Sequence, residues 1–400
     1  MGGLIQFQIQ ICSEKTDARS QSASGGGKAL ACCASTFEWR GITIKDVLKN
    51  PNFPVSSNVQ PSPGWKQLQW YHDRLTYHGF LTLSFYHPQQ DAEGRTYHVA
   101  TKSGQVANRI ITVGDQVRAR RIAKSFDGGK PIFEFCSQRN FLTLTGTFES
   151  VPITIVSIGM GFSLVDFFVR ECRAVVEGEM IIVRLGSCGS LQPEYGIGTV
   201  VVPFSSFGIL RNYDYFHHDT DEKDKTSGAI EPYIITKPLD CDKEVHDALL
   251  KALKDSVPEA EASLFGGKKA QAAGNVVNAS ADSFYSSQGR QDPTFVDENS
   301  NLIETVRERR PGTATLEMET FLINHLAESA NAAAGSNDGK KIRTGAVQMI
   351  FANRTTSDFI TPDECEKLEL WAGKSVLQAL ASINIPKEPP AVIPFRLVRK

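Results

Sequence analysis

Three side chains in one short stretch raise the first chemical question. In Ala281-Asp282-Ser283-Phe284-Tyr285-Ser286-Ser287-Gln288-Gly289-Arg290, a ring, an amide and a guanidinium follow an apolar run, Asn275 to Ala279, that reads as a strand. Gln288 and Arg290 can meet one edge of a small planar molecule. The amide offers a donor and an acceptor, and the guanidinium offers a rigid fork of donors. A pyrimidine base presents such an edge, with O2, N3–H and O4 in order, and Phe284 can cover its face. The same residues equally describe a solvated loop, so the other polar segments must decide.

Two further segments could bind an anion. In Val113-Gly114-Asp115-Gln116-Val117-Arg118, a glycine after a strand lets the backbone N–H approach an anion, and Arg118 can return to it from the first helical turn. In Arg184-Leu185-Gly186-Ser187-Cys188-Gly189, an arginine near a strand end precedes what reads as a Gly- and Ser-rich turn. Arg139, in Cys136-Ser137-Gln138-Arg139-Asn140, stands alone before a strand. Turn glycines with surface arginines are the plain alternative for each.

Glu317-Met318-Glu319 is expected to open a helix running to Ser329. Carboxylates two apart do not face each other on a helix, so they make no acid/base dyad. One of them could take two adjacent sugar hydroxyls, with Met318 against the sugar's apolar face. An acidic first turn favoured by the helix dipole accounts equally well for Glu317. His98 is a lone histidine. Cys188 has no histidine partner in a recognisable pattern and reads as a packing residue. His217-His218-Asp219 reads as loop.

The elements that must position these groups begin at about residue 96. Residues 1–95 hold a Ser/Gly run, Ser20 to Gly27, and four prolines between Lys49 and Gly64, which predicts a poorly ordered extension. Residues 96–400 alternate strand and helix. Strands are expected at 110–113, 141–144, 153–157, 180–185, 199–204 and 342–351, and helices at 117–125, 164–176 and 243–255. Thr361-Pro362-Asp363-Glu364 is a capping box with proline at the first helical position, predicting a helix to about 383. Loops are expected at 219–229, 291–301 and 331–340. This is an α/β pattern, a sheet covered by helices with ligands at strand C-ends.

Composition narrows the classes. The 400 residues are 41% hydrophobic and 22% charged with a formal net charge of -2, so nothing favours nucleic acid or an acidic membrane surface. No apolar run approaches the roughly 18 residues of a membrane span. The eight cysteines show no metal spacing and no dense framework, which favours reduced thiols in a cytoplasmic protein.

Taken in order, Gly114-Asp115 with Arg118, Ser157-Ile158-Gly159-Met160-Gly161, Arg184 to Gly189, Phe284 to Arg290, Glu317-Met318-Glu319 and Asn353-Arg354-Thr355 resemble the nucleoside phosphorylase superfamily, and within it the uridine phosphorylase branch. The resemblance spans about residues 96–386. It implies a twisted mixed sheet flanked by helices, one catalytic domain, and phosphorolysis of uridine to uracil and ribose 1-phosphate in pyrimidine salvage. Phosphate would be a co-substrate, with no cofactor. Gly114, Arg118, Arg184 and Ser187 would hold phosphate, with Arg139 reaching a neighbouring subunit's phosphate in a homodimer. Glu319, Met318 and Glu317 would hold the ribose, with His98 contributed across the dimer. Gln288, Arg290, Phe284, Cys188 and Gly189 would bind the base, with Arg354 near O4. Asn353 stands where purine-specific relatives carry a proton-donating Asp. Asn140 stands where some bacterial members have a metal-binding Glu, so no metal site of that type is expected. A purine phosphorylase or nucleosidase on the same fold, and a non-catalytic nucleoside-binding relative, are the alternatives.

Overall fold

The computed structural model describes residues 90–258, 270–335 and 340–386. The expected N-terminal extension thus lies outside the described residues except for 90–95. In chain order the strands are β1 (Arg109–Val113), β2 (Phe133–Cys136), β3 (Leu142–Phe148), β4 (Val151–Ser157), β5 (Met180–Ser190), β6 (Thr199–Arg211), β7 (Tyr233–Ile235), β8 (Leu239–Asp240), β9 (Gln271–Ala281), β10 (Thr313–Glu317), β11 (Ile342–Asn353) and β12 (Asp358–Phe359). The helices are α1 (Gln116–Ala123), α2 (Phe162–Val175), α3 (Glu222–Ser227), α4 (Lys243–Asp255), α5 (Leu302–Arg309), α6 (Thr320–Ala334) and α7 (Pro362–Ser382).

One strand organises the sheet. β5 pairs in parallel with β1 and with β11, and antiparallel with β10. β11 pairs with β6, β6 with β9, and β9 with β10. These contacts close a ring of five strands. From β5 a wing continues through β1, β4, β3 and β2. Alternate residues of the wing face opposite layers. Ile181, Val183 and Leu185 pack with Val245 and Leu249 of α4 and with Leu368 and Val376 of α7. Met180 and Ile182 pack with Val165 and Phe168 of α2 and with Ile323 of α6. Both faces are covered, which is why these strands read as continuous apolar runs. No helix among the described residues is long and apolar enough to cross a membrane.

The mixed sheet with flanking helices is the expected one, and the α7 capping box forms as expected, with Thr361 and Glu364 bonding reciprocally. Four expectations change. Residues 186–190 are strand, not turn, because β11 supplies register partners along β5 from Met180 to Ser190. A Cβ at Gly186 would lie 2.6 Å from Gln348 Oε1, so glycine here marks a close approach rather than a bend. Glu317 ends β10, opposite Ser280 of β9, instead of lying in a helical turn. The helix after it runs past Ser329 through the alanine-rich 332–334, consistent with alanine's helix propensity. The expected loop 219–229 contains α3, capped by Asp221 and ended by Gly228 at φ +73°.

Candidate active site

The centre is a buried ion pair. Arg184 of β5 donates from Nη2 to Glu319 Oε2 at 2.8 Å, and both side chains are 4% exposed. Glu319 sits at the N-cap of α6, and its Oε1 accepts the N–H of Gly161 at 2.7 Å. Gly161 has φ +98°, a conformation that favours glycine, so the β4–α2 turn can aim that N–H inward. The carboxylate therefore ties a strand, a turn and a helix together. Burial pushes its pKa up, Arg184 opposes this, and Glu317 adds to the rise. Arg184 Nε and Nη1 are buried with no hydrogen-bond partner among the described residues. Gly114 lies beside the same guanidinium: a Cβ there would sit 3.7 Å from Arg184 Nη2. Unsatisfied cationic donors beside an open glycine backbone are the arrangement that can receive an anion. Ser187, half-buried, lies further along β5.

Glu317 is differently placed from the expectation. Its carboxylate accepts from Asn278 Nδ2 at 2.9 Å, from Ser280 Oγ, and from the N–H groups of Glu319 and Thr320 at 2.9 and 3.1 Å. Its carboxylate is buried and satisfied at the start of α6, with both oxygens engaged by protein donors. Met318, between the two acids, brings its Cε to 3.9 Å from the Cβ position of Gly161.

Arg118 is buried in α1, whose N-cap Asp115 accepts its N–H at 2.8 Å. Its Nε donates to Glu369 Oε1 of α7 at 2.8 Å, and Arg121 bonds the same carboxylate. Glu369 was not foreseen. The only sign of it in the chain is an acid set between the core residues Leu368 and Trp371. Arg139 is exposed on the β2–β3 connection and reaches Tyr97 Oη at 3.2 Å. His98 stacks on Phe167 at 3.7 Å, and its Nδ1 lies 2.6 Å from Glu171 Oε1. Glu171 also accepts the N–H groups of His98 and Val99. Tyr97, His98 and Arg139 thus share one patch, and neither His98 nor Arg139 bonds Arg184 or Glu319 among the described residues.

Phe284, Gln288 and Arg290, expected to bind a base, do meet. Gln288 is buried in a one-turn 3-10 segment, Ser286–Gln288, closed by Gly289 at φ +65°. Arg290 Nη1 donates to Gln288 Oε1 and to the Phe284 carbonyl at 2.6 Å, and its guanidinium lies 3.7 Å over the Phe284 ring. Arg354 donates from Nη1 to the Gln288 carbonyl and from its backbone to Ser190 O at 3.0 Å. Its side chain lies 3.6 Å from the Cβ position of Gly189. Burial first, then the neighbouring Arg354 charge, lowers the Arg290 pKa. Both guanidiniums remain cations at neutral pH. The loop is fastened by groups that local pattern did not reveal. Arg211 bonds Ser286 Oγ, Asp297 and the Val296 carbonyl, and Asn299 Nδ2 bonds the carbonyls of Ser286 and Arg290.

Two residues at this end serve the framework. The Cys188 thiol packs among Val201, Val276, Ala314 and Ile350 and donates to the Met349 carbonyl at 3.6 Å. Burial raises its pKa well above the ordinary value, as expected of a thiol packed in the core. Asn353 donates to the Gln192 and Tyr195 carbonyls, both at 3.0 Å, and its Oδ1 accepts from Thr355 and Thr356. It locks a turn. His217, His218 and Asp219 lie within 4.8 Å of one another on the exposed surface.

A glycine-backed buried arginine, a carboxylate bound to it and a Gln–Arg–Phe cluster at the next strand end are the parts of a nucleoside phosphorylase fold. Residues 108–337 match the family model of the phosphorylase superfamily, and the chain belongs to that superfamily of enzymes. It is 29% identical over 276 residues to the uridine phosphorylase of Thermococcus kodakarensis, covering 68% of this chain and 82% of that protein. A solved chain from an analysis of two diverse uridine phosphorylases in the oomycete Phytophthora capsici superposes with a TM-score of 0.67 at 34% identity, covering 74% of this chain and 97% of that one. A DeoD-type purine nucleoside phosphorylase from Geobacillus kaustophilus is 31% identical over 109 residues, 27% of this chain and 45% of that protein.

Proposed function

We propose that this enzyme catalyses reversible phosphorolysis of uridine to uracil and α-D-ribose 1-phosphate. The observation that carries the reading is Arg184: a buried guanidinium with Nη2 on Glu319 and two nitrogens, Nε and Nη1, unengaged among the described residues. Phosphate takes the Nη1 end of this guanidinium with the Gly114 backbone and Ser187, and Glu319 takes the ribose hydroxyls with Met318 alongside. Phosphate attacks C1′ opposite the base, through an oxocarbenium-like state, with no covalent enzyme intermediate. The protein acts by positioning and electrostatics. Gln288 and Arg290 stabilise charge growing on the departing uracil, which Phe284 covers and Arg354 flanks. Arg118 serves the phosphate from its hold on Glu369. His98 and Arg139 act on a neighbouring subunit's site in a homodimer, in keeping with the patch they share around Tyr97 and their having no bond to Arg184 or Glu319 among the described residues. Residues 96–400 form the catalytic domain and 1–95 an extension to it.

Uracil is favoured over a purine because Asn353 uses both ends of its amide in the framework and has no proton to lend a leaving base. The test is uridine incubated with and without phosphate, followed by uracil absorbance, beside inosine and adenosine. Phosphate-dependent loss of uridine supports the reading. Loss without phosphate, or loss of inosine alone, refutes it.

A further inference from the structure

Gln348 of β11 is fully buried, and its Oε1 has no hydrogen-bond partner among the described residues. Leaving such an acceptor unmatched is costly, so a group of this kind needs a reason. Its other end is held: Nε2 donates to Thr320 Oγ1 at 2.8 Å, on the first turn of α6. Gln348 stands opposite Gly186 in the parallel β5–β11 register. The two-residue period of a strand puts Arg184 and Gly186 on one face of β5. The notch left by the missing Cβ of Gly186 is where these groups come together. The point a Cβ would occupy lies 2.6 Å from Gln348 Oε1 and 3.3 Å from Arg184 Nε. An orphaned acceptor and an orphaned donor therefore border the same small space. The Thr320 hydroxyl can serve either orientation of the amide, so the arginine's donors select the one with Oε1 facing the notch.

We infer that Gln348 is a positioning residue for the anion-binding arginine. Its Oε1 takes Arg184 Nε–H through one water in the Gly186 notch, which both atoms border. With Glu319 on Nη2 and Gln348 on Nε, the guanidinium is fixed in plane, and Nη1 alone is left to face the anion. A single anchor at Glu319 would let the fork rotate about that bond. Gln348 thus sets the affinity for phosphate without touching it, and leaves the base-reading loop unaffected. This inference rests on Arg184 binding phosphate.

The experiment measures inorganic phosphate affinity by phosphate-linked rise in thermal unfolding temperature, together with phosphate and uridine KM, in wild type, Q348M and G186A. Methionine keeps the volume and removes the acceptor, while alanine at 186 drives a methyl into the notch and displaces the amide. Losing one hydrogen bond to a charged group predicts a roughly tenfold rise in phosphate Kd and KM for both variants, with uridine KM moving less than twofold. If Q348M does not fold, G186A carries the comparison. Wild-type protein that phosphate fails to stabilise overturns the phosphate reading itself. Wild type that responds, beside variants that respond equally, overturns only the role of Gln348.

Discussion

Replacing Arg184 by methionine would strand Glu319. At the 2.8 Å separation, an effective dielectric of about 20 makes the lost attraction about 6 kcal/mol in gross terms. The carboxylate would keep one N–H, from Gly161, and no counter-ion. Its cheapest relief is to bind a proton. Holding a carboxyl of ordinary pKa near 4.3 protonated at pH 7 costs about 3.7 kcal/mol, at about 1.36 kcal/mol per pH unit. That figure caps the stranded-charge cost, and it falls to about 1 kcal/mol at pH 5. The variant's folded state would hold a proton that its unfolded state has released. Its stability is then greatest below about pH 4.3 and declines as pH rises toward the raised folded value. In wild type, burial also raises the Glu319 pKa, but Arg184 opposes the rise, so the decline is shallower. Urea unfolding at pH 5, 6, 7 and 8 measures the gap between the two proteins. It should widen with pH by up to about 1.4 kcal/mol per unit. A gap that is the same at all four values would refute the argument. The double variant R184M/E319Q, with neither charge, should recover much of the lost stability at pH 7.

Arg290→Ala should lower kcat by roughly 10²- to 10³-fold, the usual cost of one donor to developing charge, while leaving phosphate-linked thermal stabilisation intact; collapse of phosphate binding would contradict the assigned role. Asn353→Asp should confer no activity on inosine and should destabilise by about 1–3 kcal/mol, because it sets a carboxylate oxygen against the Gln192 and Tyr195 carbonyls; denaturant midpoints and an inosine assay check both halves. At Asp242, burial pushes the pKa up but is outweighed by Arg343 and the Val245 N–H, so the value lies below the ordinary one. Its stabilisation is therefore present above the unfolded pKa and is lost as pH falls through the folded one. Asp242→Asn keeps the cap of α4 and should cost about 1 kcal/mol at pH 7, a deficit that closes on acid titration toward pH 3.

Local pattern carried the site wherever its chemistry was local. Phe284, Gln288 and Arg290 were legible together because a single 3-10 turn brings them into contact. Arg184 and Glu319 could each be named, but not as a pair, because 135 residues and a closed ring of strands separate the two mentions. The partners were hidden for the same reason. Glu369, Glu171, Arg211 and Gln348 look like ordinary helix or strand polars until the residues they grip are known. Gly186 to Ser190 misled because glycine and serine suggest a turn, whereas pairing with β11 overrides that local preference. Glu317 misled because an acid before a helix fits the first turn. The same dipole accounts for its actual place, one step earlier, at a strand end facing the helix N-terminus.

The five-stranded ring has a consequence for how the chain acquires its structure. β5 must wait for β11, whose first registered pair joins Met180 to Ile342. Contacts so distant in sequence form late and slowly. A nascent chain that has emerged only through α6 already holds Arg184 and Glu319, but the β11-facing flank of β5 and the start of β6 at Val200 and Val201 remain unpaired. Such edges invite association with other chains. In the interval before β11 arrives those edges stand open, and shielding them would favour folding over association.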